Sequence, residues 1–268
     1  MEKKPKISVI MPNYNSAEYI KQAIESILNQ TFLDFEFIII DDWSTDNSWE
    51  LIQECAKKDE RIIAIKNEEN LKICDTLNKW LNLSRWEFIA RMDSDDISLK
   101  DRFEKQINFL EKNIDIWVIW SNCIFINNEW KKIGSKNYPE YNHIIKSAIW
   151  FRNPMLHPSV IFRKSCTKEF WLYDKEFLYA EDLELWIRFW KKWNFYNIQE
   201  NLVKYRIYWW NSTIKKQKIM IKNTLKARRE AIKIWYKVWF KGVIYYIWTY
   251  FMQFFPPKFV LWFFNKIT

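Results

Sequence analysis

The segment FEFIIIDD at residues 35–42 decides the fold, because it sets two carboxylates directly after an apolar run. The segment FIARMDSDD at residues 88–96 repeats this arrangement and ends with three aspartates. Short apolar runs bounded by polar residues indicate buried strands of a parallel sheet. Ligands bind at the carboxyl ends of such strands in open α/β sheets. Because crowded carboxylates repel one another, the two segments predict a divalent metal with a phosphorylated ligand at this edge.

The rest of the chain alternates between strand and helix patterns up to about residue 130. We predict strands at 6–11, 35–40, 61–65, 87–92 and 116–126, helices starting at Ser16 and at 46–48, and helices spanning 75–83 and 99–112. Such alternation favours an α/β fold with a mostly parallel, Rossmann-like central sheet flanked by helices. Later segments are mixed, with helices predicted at 142–149 and 181–192 and strands at 159–163 and 202–206. We place one domain at 1–213 and a C-terminal helical tail at 214–268.

The tail carries the basic character of the chain. Residues 214–268 hold twelve Lys or Arg and one acid, Glu230, so their net charge is +11. Because the net charge of the whole chain is +9, residues 1–213 carry −2. The longest weakly charged run, 242–255, is shorter than the roughly 20 residues of a membrane-spanning helix. A basic, aromatic, amphipathic tail is typical of a membrane interface. The alternative is a helical pair packed on the domain or on a second subunit. No motif indicates nucleic-acid binding, and none is expected.

Cysteine spacing and the first residues limit the function classes. The four cysteines are widely spaced, with no zinc-binding pattern, which predicts reduced thiols. Residues 1–6 lead into the first strand without a signal-peptide apolar region, which predicts a cytoplasmic catalytic part. The chain lacks a phosphate-binding Walker loop and the G-x-G-x-x-G pattern, so ATPase and dinucleotide-binding functions have no support.

The chain contains 2 Gly and 18 Trp, although Gly usually makes up about 7% of residues. Many Trp stand where a turn requires the positive φ that Gly adopts without steric cost: Trp43, Trp80, Trp86, Trp130, Trp193, Trp209 and Trp210. Our hypothesis is that the source organism reads the UGA codon as glycine, so that some printed Trp are glycines in the native protein. The alternative is a protein that is truly rich in Trp. Trp186, inside an amphipathic helix, is predicted to be a true Trp.

Four motifs carry candidate chemistry, and each has a simpler alternative. Residues 12–15 place Tyr14 past the first strand, where it can stack on a base or merely form a turn. In residues 41–46, a carboxylate can accept a hydrogen bond from the imide N–H of uracil or cap a helix. The D-x-D of residues 93–96 can hold Mg²⁺ or Mn²⁺ or be a solvated acidic turn. Glu181-Asp182 can supply a general base or the acidic first turn of a helix.

Taken in order along residues 5–212, these motifs resemble family 2 glycosyltransferases of the GT-A fold. The motifs are Pro12-x-Tyr14-Asn15, Gln30-Thr31-Phe32, Asp41-Asp42-x-Ser44-x-Asp46, Asn67-x-x-Asn70, Arg91-x-Asp93-x-Asp95-Asp96, His157-Pro158-Ser159 and Glu181-Asp182-x-x-Leu185-Trp186. The family usually has Asp-Asp-Gly-Ser after its second strand, so Trp43 stands at a Gly position. The resemblance places six more Trp at Gly positions: Trp80, Trp86, Trp117, Trp120, Trp171 and Trp193. A true Trp43 would crowd the nucleotide pocket.

The resemblance implies an inverting transfer of a sugar from a nucleotide-diphosphate sugar, with UDP favoured. It assigns nucleotide binding to five residues, Pro12, Tyr14, Asn15, Asp42 and Asp93. It assigns a Mn²⁺ or Mg²⁺ ion to Asp93, Asp95 and Asp96. Asp182 would be the general base, with Glu181 as a neighbour that positions or tunes it. For His157 the two interpretations are a structural histidine and a contact with the acceptor.

The resemblance further implies an acceptor hydroxyl on a cell-surface polysaccharide or a glycolipid, with the tail at the inner face of the cell membrane. Two other functions stay open. A metal-dependent nucleotidyltransferase also uses paired carboxylates, but it needs a Gly- and basic-rich phosphate loop that residues 12–16 do not offer. A non-catalytic membrane or nucleic-acid adaptor would use the tail and leave the acidic clusters unexplained.

Overall fold

The computed structural model describes residues 5–81, 84, 86–168, 172–207, 216–234, 240–252 and 254–255. Within them, one sheet has the order β3-β2-β1-β4-β8-β6-β9-β5, with β7 beside β6. The strands are β1 (Ile7–Asn13), β2 (Phe35–Asp41), β3 (Ile62–Lys66), β4 (Phe88–Arg91), β5 (Ile97–Ser98), β6 (Ile116–Ile126), β7 (Lys132–Lys136), β8 (Ile161–Arg163) and β9 (Asn194–Arg206). The helices are α1 (Ile20–Leu28), α2 (Ser48–Ala56), α3 (Lys72–Leu81), α4 (Arg102–Lys112), α5 (Asn142–Ala148), α6 (Glu181–Phe189), α7 (Gln217–Ile234) and α8 (Phe240–Met252). The predicted α/β class, with helices flanking a central sheet, is confirmed.

The first four strands of the sheet form its parallel half. β1 pairs in parallel with β2 and β4, and β2 with β3. Side chains alternate between two apolar cores, since Phe37 and Ile39 enter one and Ile38 and Ile40 the other. A strand buried on both faces explains the unbroken apolar run of β2. The second half is mixed, because β8 pairs antiparallel with both β4 and β6.

Several element boundaries differ from those predicted. β9 begins at Asn194 rather than at residue 202, because the buried Asn197 donates from Nδ2 to Asn122 Oδ1 at 2.8 Å inside the sheet. The pattern of alternating apolar residues does not reveal a strand whose polar side chains are satisfied by other polar side chains. α1 begins at Ile20, since the Ser16 hydroxyl turns away from it to Ser94 Oγ at 2.8 Å. The two-residue strand β5 and the exposed strand β7 were not predicted.

The first helix of the tail packs on the domain. Ala227 and Ala231 of α7 enter the larger apolar core. Asn223 Nδ2 donates to the carbonyl of Leu178 at 2.8 Å, and the buried Arg228 donates from Nε to the carbonyl of Ile149 at 2.9 Å. One of the alternatives considered for the tail, packing on the domain, therefore holds for α7.

The second tail helix, α8, packs on α7 and leaves its outer face exposed. Met252 lies against Ile221 and Leu225, while the opposite face carries Val243, Ile244, Ile247, Trp248, Tyr250 and Phe251. Among the described helices, none is both long and apolar enough to cross a membrane. The predicted boundary at residue 213, and Trp171, Trp209 and Trp210, lie outside the described residues.

Candidate active site

The carboxyl ends of the parallel strands open into a cleft of about 690 Å³. Because β1, β2 and β4 run in the same direction, the turns that follow them meet at one edge of the sheet. The lining includes six residues singled out in the sequence: Pro12, Tyr14, Asp42, Asp93, Asp95 and Glu181. The other three candidates, Asn15, Asp96 and Asp182, are not among the lining residues.

The turn after β2 is built around Asp41, which is fully buried. Its carboxylate accepts hydrogen bonds from Asn13 Nδ2 and from the hydroxyl and backbone N–H of Ser44. Asn15 then joins the turn after β1 to this one, since its Oδ1 accepts from Thr45 N at 2.8 Å. Through these contacts, Asp41 and Asn15 shape the two turns that follow β1 and β2.

Asp42 is the carboxylate of this turn that faces the cleft. Its Oδ1 accepts from Asn67 Nδ2 at 2.8 Å and from Leu71 N at 2.9 Å, and its Oδ2 accepts from Lys72 N at 2.9 Å. A carboxylate oxygen can accept two hydrogen bonds. Oδ2 therefore retains capacity for a donor in the cleft, such as the N–H of a base.

Asp46 has the capping role that the sequence left as an alternative. Its Oδ1 accepts from Ser48 N at the start of α2, and its Oδ2 accepts from Ala17 N. Burial would raise the pKa of Asp46, but the hydrogen bonds from Ser48 and Ala17 outweigh it and lower that pKa. The carboxylate thereby holds α2 close to the segment before α1.

Three aspartates form an acidic cluster at the cleft. Asp93, Asp95 and Asp96 each offer a carboxylate oxygen, and these oxygens all lie within 4.8 Å of one another. Burial, and then the charges of Asp95 and Asp93, raise the pKa of Asp96 well above its ordinary value. Asp96 Oδ1 accepts from Arg206 N at 2.8 Å, whereas Oδ2 is buried without a hydrogen-bond partner. An unsatisfied carboxylate oxygen beside two further carboxylates fits a divalent ion, which prefers oxygen ligands.

Arg91 connects the acidic cluster to the start of α6. Its Nη2 lies 2.6 Å from Asp93 Oδ1, while its Nε and Nη1 are buried without hydrogen-bond partners. Burial would lower the pKa of this guanidinium, but the charge and hydrogen bond of Asp93, together with the charges of Tyr173 and Asp182, outweigh that effect and raise it. A permanent positive charge therefore stands between the two groups of carboxylates.

The acidic pair Glu181-Asp182 occupies the first turn of α6. Asp182 Oδ2 accepts from Asn153 Nδ2 at 2.6 Å and its Oδ1 from Leu183 N, and burial raises its pKa. Glu181 lines the cleft, and its Oε2 is buried without a hydrogen-bond partner. Burial, followed by repulsion from Asp182, raises the pKa of Glu181 to about 7. Both carboxylates are therefore better proton acceptors than an exposed one.

The contacts of His157 favour its structural interpretation. Its Nε2 lies 2.7 Å from the hydroxyl of Tyr173, and its ring meets that of Trp186 edge-on at 6.0 Å. Burial, and then the charge of Arg91, lower the pKa of His157 well below its ordinary value. A neutral, hydrogen-bonded and enclosed histidine matches the structural interpretation.

Several lining residues were given no role from the sequence. They include Lys72, Tyr179, Tyr205 and Lys216. Lys72 and Tyr179 both have φ 68°, so the chain bends sharply where it meets the cleft. No residue-type signal precedes these bends, because neither position holds Gly or Asn. Lys216 brings the beginning of the tail to the cleft opening.

Five of the printed Trp residues fall into two groups by backbone and burial. Trp43 and Trp130 have φ of 66° and 65°, in the left-handed region that favours glycine. Trp120, Trp186 and Trp193 are instead buried in the core, and the indole N–H groups of Trp120 and Trp186 have no hydrogen-bond partner. The strain at the first two positions agrees with the glycines expected there.

Solved structures share this architecture. One similar structure is that of S. aureus TarS 1–349 in complex with UDP-GlcNAc. It has a TM-score of 0.66 and 20% sequence identity, and the match covers 83% of this chain and 66% of that chain. Another is the mannosyltransferase PcManGT from Pyrobaculum calidifontis in complex with GDP-Man and Mn²⁺ (TM-score 0.66, 12% identity, 99% of this chain and 74% of that chain). The fold of this chain is thus the GT-A fold of glycosyltransferases.

Sequence comparison gives the family. The family model described as Glycosyl transferase family 2 matches residues 8–171. An uncharacterized glycosyltransferase of Methanocaldococcus jannaschii is 37% identical over 257 residues, which cover 91% of this chain and 88% of the relative. The O-antigen biosynthesis glycosyltransferase WbnJ of Escherichia coli is 33% identical over 75% of this chain and 80% of its own length. The chain belongs to glycosyltransferase family 2 and is an enzyme of that class.

Proposed function

We propose that the protein is an inverting glycosyltransferase that moves a sugar from a nucleotide-diphosphate sugar to an acceptor hydroxyl in cell-surface polysaccharide or glycolipid synthesis. The observation that carries this proposal is one cleft that joins Asp42, Glu181 and two members of the acidic cluster, Asp93 and Asp95. TarS with UDP-GlcNAc supports a UDP-sugar, and WbnJ, an O-antigen biosynthesis enzyme, supports a cell-surface glycan as acceptor.

The proposed donor site combines base recognition with a metal. Pro12, Tyr14, Asn15, Asp42 and Asp93 hold the nucleotide, with Tyr14 stacked on the base and Asp42 Oδ2 accepting its N–H. Asp93, Asp95 and Asp96 would hold Mn²⁺ or Mg²⁺, which when bound offsets the negative charge of the leaving diphosphate. The unpartnered Asp96 Oδ2 and the Mn²⁺ bound in the PcManGT complex support that ligand set.

The proposed general base is Asp182, with Glu181 beside it. Asp182 takes the proton from the acceptor hydroxyl while that oxygen attacks the anomeric carbon on the face opposite the diphosphate. Asn153 and Leu183 N fix its carboxylate, and its raised pKa favours proton uptake. Glu181, which lines the cleft next to Asp182, positions or tunes that base, and the charge of Asp182 helps to raise the pKa of Glu181.

Nucleotide release from a panel of UDP- and GDP-sugars, with Mn²⁺ or with chelator, tests this function. We expect chelator-sensitive release from one donor, and loss of transfer in Asp182→Asn with metal-dependent nucleotide binding retained. Glu181→Gln is the matched variant, and we expect it to keep partial transfer. Pyrophosphate release from a nucleoside triphosphate would instead indicate a nucleotidyltransferase. Binding of no nucleotide, with Asp182→Asn indistinguishable from wild type, would indicate an adaptor.

We propose that the tail holds the enzyme at the inner face of the cell membrane. The exposed face of α8 carries six large apolar side chains, and its 13 residues make a helix of about 20 Å, too short to span a bilayer of roughly 30 Å. The exposed Lys218, Lys222 and Arg229 of α7 provide positive charge beside it. An apolar face flanked by basic residues is suited to an anionic lipid surface.

Vesicle sedimentation tests the membrane proposal. We expect binding to vesicles of phosphatidylcholine with phosphatidylglycerol, and weaker binding to phosphatidylcholine alone. Phe251→Glu on α8 should reduce binding, whereas Ile114→Glu, at a residue 80% exposed on the loop before β6, should not. Equal binding by the two variants would contradict insertion of α8.

We also propose that Trp43 and Trp130 are glycines in the native protein, in line with UGA recoding. The left-handed φ of both residues supports this proposal. The intact mass of the protein purified from its source decides it. A mass that matches the printed sequence would rule out recoding.

A further inference from the structure

We propose that Arg206 is the positioning residue that holds the acidic turn of residues 93–96 in its metal-binding geometry, an inference that rests on the proposed metal site. Arg206 ends β9 and is 1% exposed. Its backbone N–H donates to Asp96 Oδ1 at 2.8 Å, and its Nε donates to the backbone carbonyl of Asp95 at 2.8 Å. A single residue, about 110 positions later in the chain, thus contacts two of the three clustered aspartates.

The guanidinium of Arg206 is itself fixed. It lies 4.2 Å from the centroid of the Tyr19 ring. Its Nη1 also donates to the carbonyl of Asn127 at 2.9 Å. Contact with the Tyr19 ring and two hydrogen bonds to carbonyls leave the group little freedom to reorient. Its location makes it a support for the turn rather than a ligand of the phosphates.

The backbone contact of Arg206 sets the orientation of the Asp96 carboxylate. With Oδ1 engaged by Arg206 N, the unpartnered Oδ2 is the oxygen left for the cluster. The short strand β5, which follows the turn, pairs with β9 through Ile97↔Lys204 and Ser98↔Val203. The side chain of Arg206 adds the contact to Asp95 that this pairing does not reach. Arg91 holds Asp93 from the other side.

Removal of the Arg206 side chain should therefore weaken metal binding without removing any ligand. Partners that orient metal ligands typically contribute about 10-fold to 100-fold in metal affinity. We expect Arg206→Met to weaken Mn²⁺ binding about 10-fold or more. Arg206→Lys keeps the charge but lacks the planar guanidinium, so we expect its Mn²⁺ affinity to lie between those of Arg206→Met and the wild type.

The experiment is a Mn²⁺ titration of the full chain followed by electron paramagnetic resonance of the free ion, without donor or acceptor. Arg228→Met is the matched control, since Arg228 is also buried and also donates from Nε to a carbonyl, at 2.9 Å, but lies in α7. We expect it to lower the free energy of unfolding and leave the Mn²⁺ affinity unchanged. Circular dichroism verifies that each variant is folded, and Arg206→Lys provides the milder test if Arg206→Met does not fold.

The outcomes separate this inference from the proposed function. Wild-type Mn²⁺ binding that is unchanged in folded Arg206→Met, or weakened equally in Arg228→Met, would overturn the role of Arg206 alone. If Arg206→Met does not fold, a folded Arg206→Lys variant with undiminished affinity would overturn it. No Mn²⁺ binding by the wild type would overturn the metal site and this inference together.

Discussion

At the scale of single residues, backbone conformation separates two tryptophans that are equally exposed. Trp43 and Trp248 are each 48% exposed, but Trp43 has φ 66° and Trp248 lies within the helix α8. The left-handed conformation costs an L-residue roughly 1 kcal/mol or more, whereas glycine adopts it freely. Glycine within a helix costs about 1 kcal/mol. The same substitution should therefore have opposite effects at the two positions.

We predict that Trp43→Gly raises the free energy of unfolding by about 1 kcal/mol and that Trp248→Gly lowers it by about 1 kcal/mol. Urea denaturation followed by circular dichroism measures both. A decrease for Trp43→Gly as large as that for Trp248→Gly would mean that the Trp43 side chain contributes more than its backbone strain costs.

Glu181 gives a prediction for the pH dependence of stability. Its pKa in the folded chain is about 7, against an ordinary value of 4.5. The native state therefore binds this proton more tightly than the unfolded state does. The stabilisation is complete below pH 4.5 and is lost as the pH rises through about 7, so the free energy of unfolding falls over that interval.

We predict that Glu181→Gln reduces this fall in a metal-free buffer with chelator. Urea denaturation at four pH values between 5 and 8 measures it. Glu176→Gln is the control, because Lys226 lowers the pKa of the exposed Glu176 and its proton is already released in this range. Identical pH slopes for wild type and Glu181→Gln would show that another group causes the fall.

At the scale of elements, α6 is fixed by Trp186. This residue is fully buried, and its ring packs edge-on against Phe162, Phe189 and His157. Removing a buried Trp typically costs about 3–5 kcal/mol, and glycine in a helix adds about 1 kcal/mol. We predict that Trp186→Gly lowers the free energy of unfolding by about 4 kcal/mol or more. Urea denaturation measures it, and a cost near that of Trp248→Gly would contradict the assignment of Trp186 as a true Trp.

The sequence predicts elements well where the apolar pattern is continuous and poorly where polar residues are buried. β6 has the predicted bounds of Ile116–Ile126, and β2 extends its predicted range by only Asp41. β9 was recognised only in its last five residues, because its first part contains the buried Asn197. Partnering between side chains that are distant in sequence, here Asn197 with Asn122, leaves no local signal.

The same limit applies to the site. Most candidate residues follow strand ends, and the structure brings Tyr14, Asp42, Asp93 and Glu181 into one cleft. No sequence motif indicated Arg206, because its contact with Asp95 exists only once β5 pairs with β9. Lys72 was missed because its backbone bends with a positive φ, and the sequence gives no Gly or Asn there to indicate the bend. Residues that position others are therefore harder to predict than residues at strand ends.

At the scale of the whole molecule, α7 is part of the packing of the domain. Its Ala227 and Ala231 enter the main apolar core, and Lys226 pairs with Glu176. We predict that truncation after Ile207 lowers the free energy of unfolding by on the order of 3 kcal/mol, because the apolar surface beneath α7 becomes exposed. Urea denaturation compares it with truncation after Phe255, which keeps both described tail helices. Equal stability of the two truncated chains would indicate that residues 1–207 fold independently.

The long reach of Arg206 also bears on how the chain is made. Ribosomes deliver the turn of residues 93–96 well before Arg206, which lies 110 residues beyond Asp96. A nascent chain that has not yet produced β9 lacks the strand that pairs with β5 and the N–H that engages Asp96. We therefore expect the order of synthesis to set the order of maturation: the turns after β1 and β2 form early, and the proposed metal site becomes competent only when β9 docks. Nascent chains that stop before β9 would then be unable to use the proposed donor.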